Sequence, residues 1–441
     1  MLRNFKEAIS MVEQSPERAS RDQLREIQWQ KLRVLFGQIC GHNSFYSKKW
    51  REAGVSPDDV KSLADLRKLP FTEKSELMRA QDEAPPFGTN ATFSPEDYSR
   101  LHQTSGTTGA PLRVLDTPES WEWWGRCWGY VLRGAGVTAS DRVFLPFSFG
   151  PFIGFWAAVE GVRQLGVMMI PGGGWDSLQR LHMMRDLKAT VICCTPTYAL
   201  RLAQIAREQD FDLRSIPVRA LIHAGEPGAN VAQTKTRIEE TWNAKCFDHA
   251  GASEVGAYSF ECEVQPKGIH VIESEFIVEV IDPQTRKEKQ PGETGELVIT
   301  NLGRPGFPVI RYRTGDLVRL NLCPCACGRT FAKFDGGLLG RCDDMVIIRG
   351  VNVYPTAIEN VIRQFSAIDE FQITVKTLEE MAHLEVQIEV NSEDDANGVR
   401  ARIEQAIHRA LSLKPSVIVA QSGTLPRFEM KARRIQRLDR S

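Results

Sequence analysis

The chain has 441 residues, more than one ordinary core accommodates, so length alone asks for two or three domains, with a large one and a smaller one as the default. Lys and Arg total 55 against 56 Asp and Glu, a net charge of -1, which gives no electrostatic reason to propose nucleic acid or an anionic membrane as the main partner. Neither the charged segment Met1 to Ser10 nor any later apolar run has the form of a signal peptide or a membrane span, so a cytoplasmic protein is expected, in which the ten cysteines are mostly thiols.

In chain order, Leu24, Ile27, Leu32, Leu35 and Ile39 share one helical face, which predicts that residues 1 to about 90 form helices laid against the main body, without catalytic chemistry. From residue 141, short apolar runs at 143–146, 167–171, 190–194 and 218–223 alternate with helical stretches such as 177–189 and 198–209. That rhythm predicts a parallel sheet flanked by helices. Segments 276–281, 296–301 and 309–320 read as consecutive strands broken by turns such as Pro291-Gly292, a β-rich lobe over about 271–340.

Beyond Arg341 the order is strand, helix (Ala357, Ile358, Val361, Ile362, Phe365), two strands (371–375, then alternating Leu384, Val386, Ile388, Val390), helix (Val399, Ile403, Ile407, Leu411) and strand. The expected fold class is therefore α/β. A large N-terminal domain, 1–340, carries helix-flanked sheets and a β-rich lobe, and a small α+β C-terminal domain spans 341–441.

Thr104, Ser105, Gly106, Thr107, Thr108 and Gly109, followed by Ala110 and Pro111, concentrate hydroxyls and glycines. Such a loop leaves backbone N–H groups free to approach phosphate oxygens. A Ser/Thr/Gly surface turn has the same composition, and the Gly-Lys-Ser/Thr of the Walker loop is missing. What gives the segment weight is its company. Ser-Gly-Thr-Thr-Gly-x-Pro resembles the phosphate loop of adenylate-forming enzymes, and the other motifs of that superfamily follow in order.

His223-Ala-Gly-Glu-Pro227 resembles the adenine-side segment, which implies nucleotide contacts for Gly225, Glu226 and Pro227 and puts Ala224 beside the acyl group. His249-Ala250-Gly251-Ala252-Ser253-Glu254 resembles the element in which a hydroxyl, here Ser253, meets phosphate and a carboxylate, here Glu254, helps to hold Mg²⁺. By the same resemblance His249, Ala250 and Gly251 line the nucleotide and Ala252 the acyl pocket.

Tyr312-Arg-Thr-Gly-Asp316 resembles the segment whose aspartate accepts from both ribose hydroxyls, and Gly340-Arg341-Cys-Asp343-Asp344 resembles the hinge of a mobile small domain. Asp316 and Arg341 would then hold ribose, with Asp343 as pivot. Leu425-Pro-Arg-Phe-Glu-Met-Lys431 resembles the loop that delivers a lysine to the reacting carboxylate and α-phosphate, where a cation offsets developing charge. Lys431, Glu254 and Asp343 are thus the catalytic candidates. Taken singly, each charge reads as a solvated surface group; five ordered motifs reverse that reading.

Thr195-Pro-Thr-Tyr-Ala-Leu200, Pro171-Gly-Gly-Gly174, Ile310-Arg-Tyr-Arg-Thr-Gly-Asp316 and Gly350-Val-Asn-Val-Tyr-Pro355 are similar to phenylacetate–CoA ligases, over nearly the whole chain. The resemblance implies an ATP-dependent ligase that joins a carboxylic acid, aryl or arylacetic, to CoA through an acyl-AMP, using ATP, Mg²⁺ and CoA. It leaves open an acyl-carrier protein or an amine as acceptor, and a homodimer as assembly. Phe147, Phe149, Phe152 and Phe155 lie in the segment that by resemblance borders the acyl pocket, and aromatic walls suit a flat apolar acid, although plain core residues would look the same. Ala110 and Ala250 depart from the lysine and the stacking tyrosine common at their positions. They motivate a rival, a weakened binding or scaffold protein, against which the retention of Glu254, Asp316, Arg341 and Lys431 argues.

Cys325-Ala-Cys327, with Cys262 and His270 upstream, supplies three thiolates and one imidazole, the ligand set of a closed structural zinc site. Some relatives carry such a site on the β-rich lobe. Cys323 is an alternative ligand, and thiols buried as small hydrophobes remain the competing explanation.

Overall fold

The computed structural model describes residues 16–104, 111–342, 346–348, 351–353, 355–378, 381–391, 395–411, 413, 415–428 and 434–438. Ser105, Gly106, Thr107, Thr108, Gly109, Asp343 and Lys431 lie outside them.

The helix Arg21–Ile39 opens with a capping box: the Ser20 hydroxyl accepts from the Gln23 amide at 3.2 Å, and the Gln23 side chain accepts from the Ser20 amide at 2.8 Å. Leu24, Leu32, Leu35 and Ile39 are buried as their spacing predicts. Ile27 is not; it is half-buried at the rim, and Gln28 occupies the interior instead. The Gln28 amide donates to the carbonyls of Glu273 and Phe276 at 2.9 and 3.0 Å, which satisfies a polar group that burial would otherwise penalise. Arg21–Glu273 and Lys31–Glu275, both 2.6 Å, complete the docking of this helix on the β-rich lobe.

The parallel sheet has five strands, in spatial order Met168–Pro171, Arg142–Leu145, Val191–Cys194, Ala220–His223 and Lys245–Asp248. Val191–Cys194 and Ala220–His223 are buried throughout, so they read in sequence as continuous apolar runs. Lys245–Asp248 buries only Cys246 and Phe247 and gives no such signal. Thr195 caps the helix Pro196–Glu208, with its hydroxyl accepting from the Tyr198 amide and Pro196 in the first helical position. The carboxyl ends of the last three strands therefore run into the segments 195–200, 224–228 and 249–254. In open parallel sheets ligands bind at that edge.

The β-rich lobe is an antiparallel sheet in the order Ser259–Phe260, Gly268–Val271, Lys333–Asp335, Tyr312–Asn321, Thr294–Asn301 and Phe276–Ile281, with Gly340–Arg341 pairing alongside Tyr312–Asn321. It begins upstream of residue 271, on two strands too short for periodicity to reveal. The strand expected from 309 starts at Tyr312 because Arg311 turns the backbone to φ +49° and sends its guanidinium to Glu279 (2.8 Å) and to the carbonyls of Arg67 and Leu69 (2.8 and 2.5 Å).

The C-terminal part is a four-stranded sheet, in spatial order Ser416–Val419, Met381–Val390, Ile368–Leu378 and Ile435–Leu438. The helices Pro355–Ile362 and Ala396–Leu411 pack on it, and a core of its own includes Ile358, Ile373, Val386, Val399, Ile403 and Ile407. It holds one strand more than expected, Ile435–Leu438, and a hairpin, Val346–Ile348 with Val351–Val353, replaces the single leading strand. No helix among the described residues is long and apolar enough to cross a membrane.

Candidate functional site

Thr104 ends the strand Arg100–Gln103, which pairs with Arg113–Asp116. Its amide donates to the Leu112 carbonyl at 2.9 Å and its hydroxyl accepts from the Leu112 amide at 3.1 Å. The stem of the hydroxyl-rich loop is thereby closed.

Glu254 sits in the turn between the paired segments Gly251–Ala252 and Gly256–Ala257. Gly256 is at φ +134°, and a Cβ there would lie 2.6 Å from the Trp123 ring, so glycine is required to let this hairpin lie on the core. The Glu254 carboxylate is buried, and its Oε1 accepts from the Tyr312 hydroxyl at 2.7 Å with Lys74 Nζ at 3.5 Å. The preceding Ser253 carbonyl accepts from Arg304 Nη1 at 2.7 Å, while Nε and Nη2 of Arg304 hold Asp116 at 2.6 and 2.7 Å. Neither partner of that ion pair has any exposed side chain.

At the carboxyl end of Ala220–His223, the buried His223 donates from Nδ1 to the Cys194 carbonyl at 3.0 Å, and burial pushes its pKa down to about 4. His249 follows the neighbouring strand; its Nδ1 bonds the Ser259 carbonyl at 2.6 Å, its ring lies 4.7 Å from that of Trp128, and burial again lowers the pKa to about 4. Both imidazoles are neutral near pH 7 and act as shaped, uncharged walls. Glu226 accepts from the Thr197 amide at 2.8 Å, and Gly225 takes φ +93° to turn the segment. Ala250 is buried, with its amide on the Ser259 hydroxyl at 3.0 Å. Asp316 and Arg341 face each other across antiparallel strands at 3.1 Å.

Phe147 and Phe149 lie 4.5 Å apart, Phe147 is 5.4 Å from Phe155, and Phe149 is 4.7 Å from Trp156. Phe155 then meets Trp128 at 6.0 Å, and Trp128 meets His249, so an aromatic series runs from this loop to the histidine after the last parallel strand. Phe147, Phe149 and Phe152 are half-buried, and Ala224 and Ala252 pack as half-buried neighbours of the same core. The glycine run is needed here, since a Cβ on Gly172 would lie 2.6 Å from the Phe144 ring.

Away from this edge, Cys262, His270, Cys325 and Cys327 converge, their ligand atoms all within 4.8 Å of one another. Cys262 Sγ is 3.8 Å from Cys325 Sγ, and Cys327 Sγ is 3.6 Å from His270 Nε2. His270 donates its other nitrogen to the Phe331 carbonyl at 3.2 Å, which turns Nε2 toward the thiols. Cys323 is exposed and outside the group. Thr330 and Arg329, just past the cysteines, bind the backbone and carboxylate of Glu17, so the N-terminal segment leans on this loop.

Sequence reasoning assigned no role to Lys74, Asp116, Asp248, Arg304 or Tyr312. Tyr312 stood inside a quoted motif; the others came from stretches without one, and their signal is a charge that must be buried with a distant partner.

Residues 31–303 match the AMP-binding enzyme family model, and residues 350–438 match the AMP-binding enzyme C-terminal domain. The phenylacetate-coenzyme A ligase of Thermus thermophilus is 31% identical, over 94% of this chain and 96% of that one. Its counterpart in Escherichia coli is 32% identical over 95% and 96%. Among solved structures, 2-hydroxyisobutyryl-CoA ligase in the postadenylation state with 2-HIB-AMP superposes with a TM-score of 0.90 at 27% identity, over 96% of this chain and 91% of that one. The same ligase in its thioesterification state, with 2-HIB-AMP and CoA, gives 0.73 at 28% identity over the same shares. The chain thus superposes better on the postadenylation form than on the thioesterification form.

Asp248, beside His249, is half-buried, and burial together with the charge of Glu261 pushes its pKa up to about 7 against the opposing pull of Lys235. A folded-state value above the unfolded one means that the stability this carboxyl contributes is full below about pH 4 and is lost as pH rises toward 7. Asp248→Asn, which does not titrate, is expected to gain stability relative to the parent between about pH 5 and pH 8. Urea-unfolding midpoints across that range measure it, and a difference independent of pH would contradict it.

Proposed function

The chain belongs to the AMP-binding, adenylate-forming enzymes and is an ATP-dependent acid–CoA ligase working through an acyl-AMP; from that premise we propose that its acid is an aryl or arylacetic acid. The aromatic series of Phe147, Phe149, Phe155 and Trp156, which leads to Trp128 and His249, carries this reading, because stacked and edge-on rings complement a flat apolar group. Phe152, Ala224 and Ala252 complete the pocket wall. The whole-length match to phenylacetate-coenzyme A ligases favours CoA over a carrier-protein thiol or an amine as acceptor.

In the proposed division of labour, residues 104–109 and Ser253 hold the phosphates, and Gly225, Glu226, Pro227 and His249 to Gly251 bound the nucleotide base. Asp316 accepts from the ribose hydroxyls, and Arg341, paired with that carboxylate at 3.1 Å, holds it in place. Lys431 offsets charge as a substrate carboxylate oxygen bonds the α-phosphorus and the bond to pyrophosphate breaks. The thiol of CoA then attacks the acyl carbon and AMP leaves. Residues 1–340 form the body of the site, and 341–441 turn about Asp343 between the two steps.

Glu254 fits Mg²⁺: it is a buried hard-oxygen ligand whose Oε1 is fixed by Tyr312. The ion, when bound there, supplies charge neutralisation for the phosphates. The thiol and imidazole cluster fits a structural zinc. Bonds of about 2.3 Å to sulfur and 2.1 Å to nitrogen make tetrahedral edges of about 3.8 Å and 3.6 Å, matching the Cys262–Cys325 distance of 3.8 Å and the Cys327–His270 distance of 3.6 Å.

Four outcomes are expected. Pyrophosphate release, screened over aryl, arylacetic and short alkyl acids and followed by mass detection of the CoA thioester, should peak with an aromatic acid; a preference for alkyl acids overturns the assignment. Asp316→Ala should raise the KM for ATP about tenfold or more while leaving that for the acid nearly unchanged, since the lost charged hydrogen bonds serve the nucleotide alone. Protein prepared without chelator should contain about one zinc per chain by elemental analysis, retained in Cys323→Ser and lost in Cys325→Ser. Chelation should lower the melting temperature before it slows adenylation.

A further inference from the structure

Arg434 is a buried arginine that the two-step reading leaves without a task. Its Nε and Nη2 hold Glu370 at 2.5 and 3.0 Å, with side chains 8% and 6% exposed, inside the small domain. The rings of Phe371 and Phe428 cover it, at 5.2 and 5.6 Å from their centroids. Its remaining nitrogen, Nη1, leaves the small domain and donates to the hydroxyl of Thr197 at 3.2 Å, in the first turn of the helix Pro196–Glu208 of the large domain.

Among the described residues, Arg434 is the one partner of the Thr197 hydroxyl. The cap of that helix is Thr195, whose hydroxyl accepts from the Tyr198 amide at 3.2 Å. The Thr197 amide, in turn, donates to Glu226 of the segment assigned to the adenine side. A continuous path therefore runs from Glu226 through Thr197 and Arg434 to Glu370. Around it the two domains are separated by a cleft of about 580 Å³, lined by polar residues such as Arg201, Arg237, Glu240 and Gln364. A second contact across the cleft, from Arg237 to the Ile368 carbonyl, is longer at 3.4 Å.

We propose that Thr197 and Arg434 are positioning residues, a latch that holds the small domain in the arrangement that makes the acyl-AMP and opens before the thioester step. The proposal rests on the two-step ligase reading. A buried guanidinium with two donors committed inside its own domain satisfies its third across the gap only while the domains are so placed. Turning the small domain exchanges this bond for water in the cleft, so the latch biases the arrangement without locking it.

The test acts from the large-domain side, because removing Arg434 would leave Glu370 buried and uncompensated and could unfold the small domain. Thr197→Val preserves shape and the Arg434–Glu370 pair but removes the acceptor. Acid-dependent pyrophosphate release is expected to fall about tenfold, the loss of one hydrogen bond to a charged group. Thioester formation from pre-made acyl-AMP and CoA should be unchanged or faster, and Thr197→Ser should restore the parent's ratio of the two rates. Equal slowing of both steps by Thr197→Val, or of neither, overturns the latch. The parent chain is assayed first in both half-reactions, so its failure marks failure of the ligase reading. A fluorescence pair placed on the helices Ala232–Trp242 and Ala396–Leu411 tests the latch separately from activity: Thr197→Val should change the mean distance, and an unchanged distance counts against the latch.

Discussion

The ion pair between Asp116 and Arg304 is the contact on which the site's geometry rests. Both side chains are wholly excluded from solvent, and each is tolerable there only because of the other. Removing one partner of such a pair costs about 3–5 kcal/mol, a large share of a domain's net stability. Asp116 ends the strand that leaves the stem of the hydroxyl-rich loop, and Arg304 belongs to the turn after Thr294–Asn301 in the β-rich lobe. Arg304 spends its remaining donor on the carbonyl of Ser253, one residue from the buried Glu254. Three segments that meet nowhere in sequence are thus fixed to one another beside the buried Glu254 carboxylate. The rings of Trp124 and Phe307 lie near its guanidinium, 5.4 and 5.7 Å from it, and help to keep water away.

The same device recurs around the site at lower cost. Arg311 joins the β-rich lobe to the N-terminal segment through Glu279 and two carbonyls, with Phe71 stacked at 4.0 Å. Tyr46 reaches from the helix Ser44–Glu52 to accept from the Ile310 amide and to donate to the Thr72 hydroxyl, just ahead of the strand carrying Asp316. Apart from Lys74, which lies 3.5 Å from the Glu254 carboxylate, the described N-terminal helices enter the site only by bracing its strands. Rigid support at this distance matters because electrostatic stabilisation of a transition state depends on charges already in place before reaction.

What sequence disclosed and what it hid divide along a physical line. Strands buried on both faces, such as Val191–Cys194 and Ala220–His223, announce themselves as apolar runs, and the small domain's helices show their period through Val399, Ile403 and Ile407. Lys245–Asp248 and Ser259–Phe260 are short or half-polar and carry no such pattern. Motifs gave away candidate residues but not their supports. Tyr312 lies 58 residues from the Glu254 it bonds, and Arg304 lies 188 from Asp116, separations that no local rule spans. Ile27 and Gln28 exchanged places for a related reason: periodicity counts apolar residues, whereas the interior accepts an amide if carbonyls such as those of Glu273 and Phe276 are waiting for it. Spacing does not separate Cys323 from Cys325; in the fold Cys325 is buried beside Cys262, His270 and Cys327, and Cys323 is exposed.

A C-terminal part with a separate core suits the proposed two-step chemistry. In the proposed cycle, joining acid to α-phosphate uses a cation at the carboxylate and joining thiol to acyl carbon uses that space open, so the two steps call for different placements of the small domain. A domain that moves as a unit must carry its own apolar core, as Ile358, Ile373, Val386 and Ile403 provide, because shared apolar area would have to be exposed at each turn at roughly 25 cal/mol per Å². Contacts between the parts can then be few and polar, such as Arg434 to Thr197 and Arg237 to the Ile368 carbonyl, since a charged hydrogen bond traded for one to water changes free energy by about 1.5–3 kcal/mol. An interface of that kind selects one arrangement without trapping it, and both domains keep their internal order while the contacts between them change.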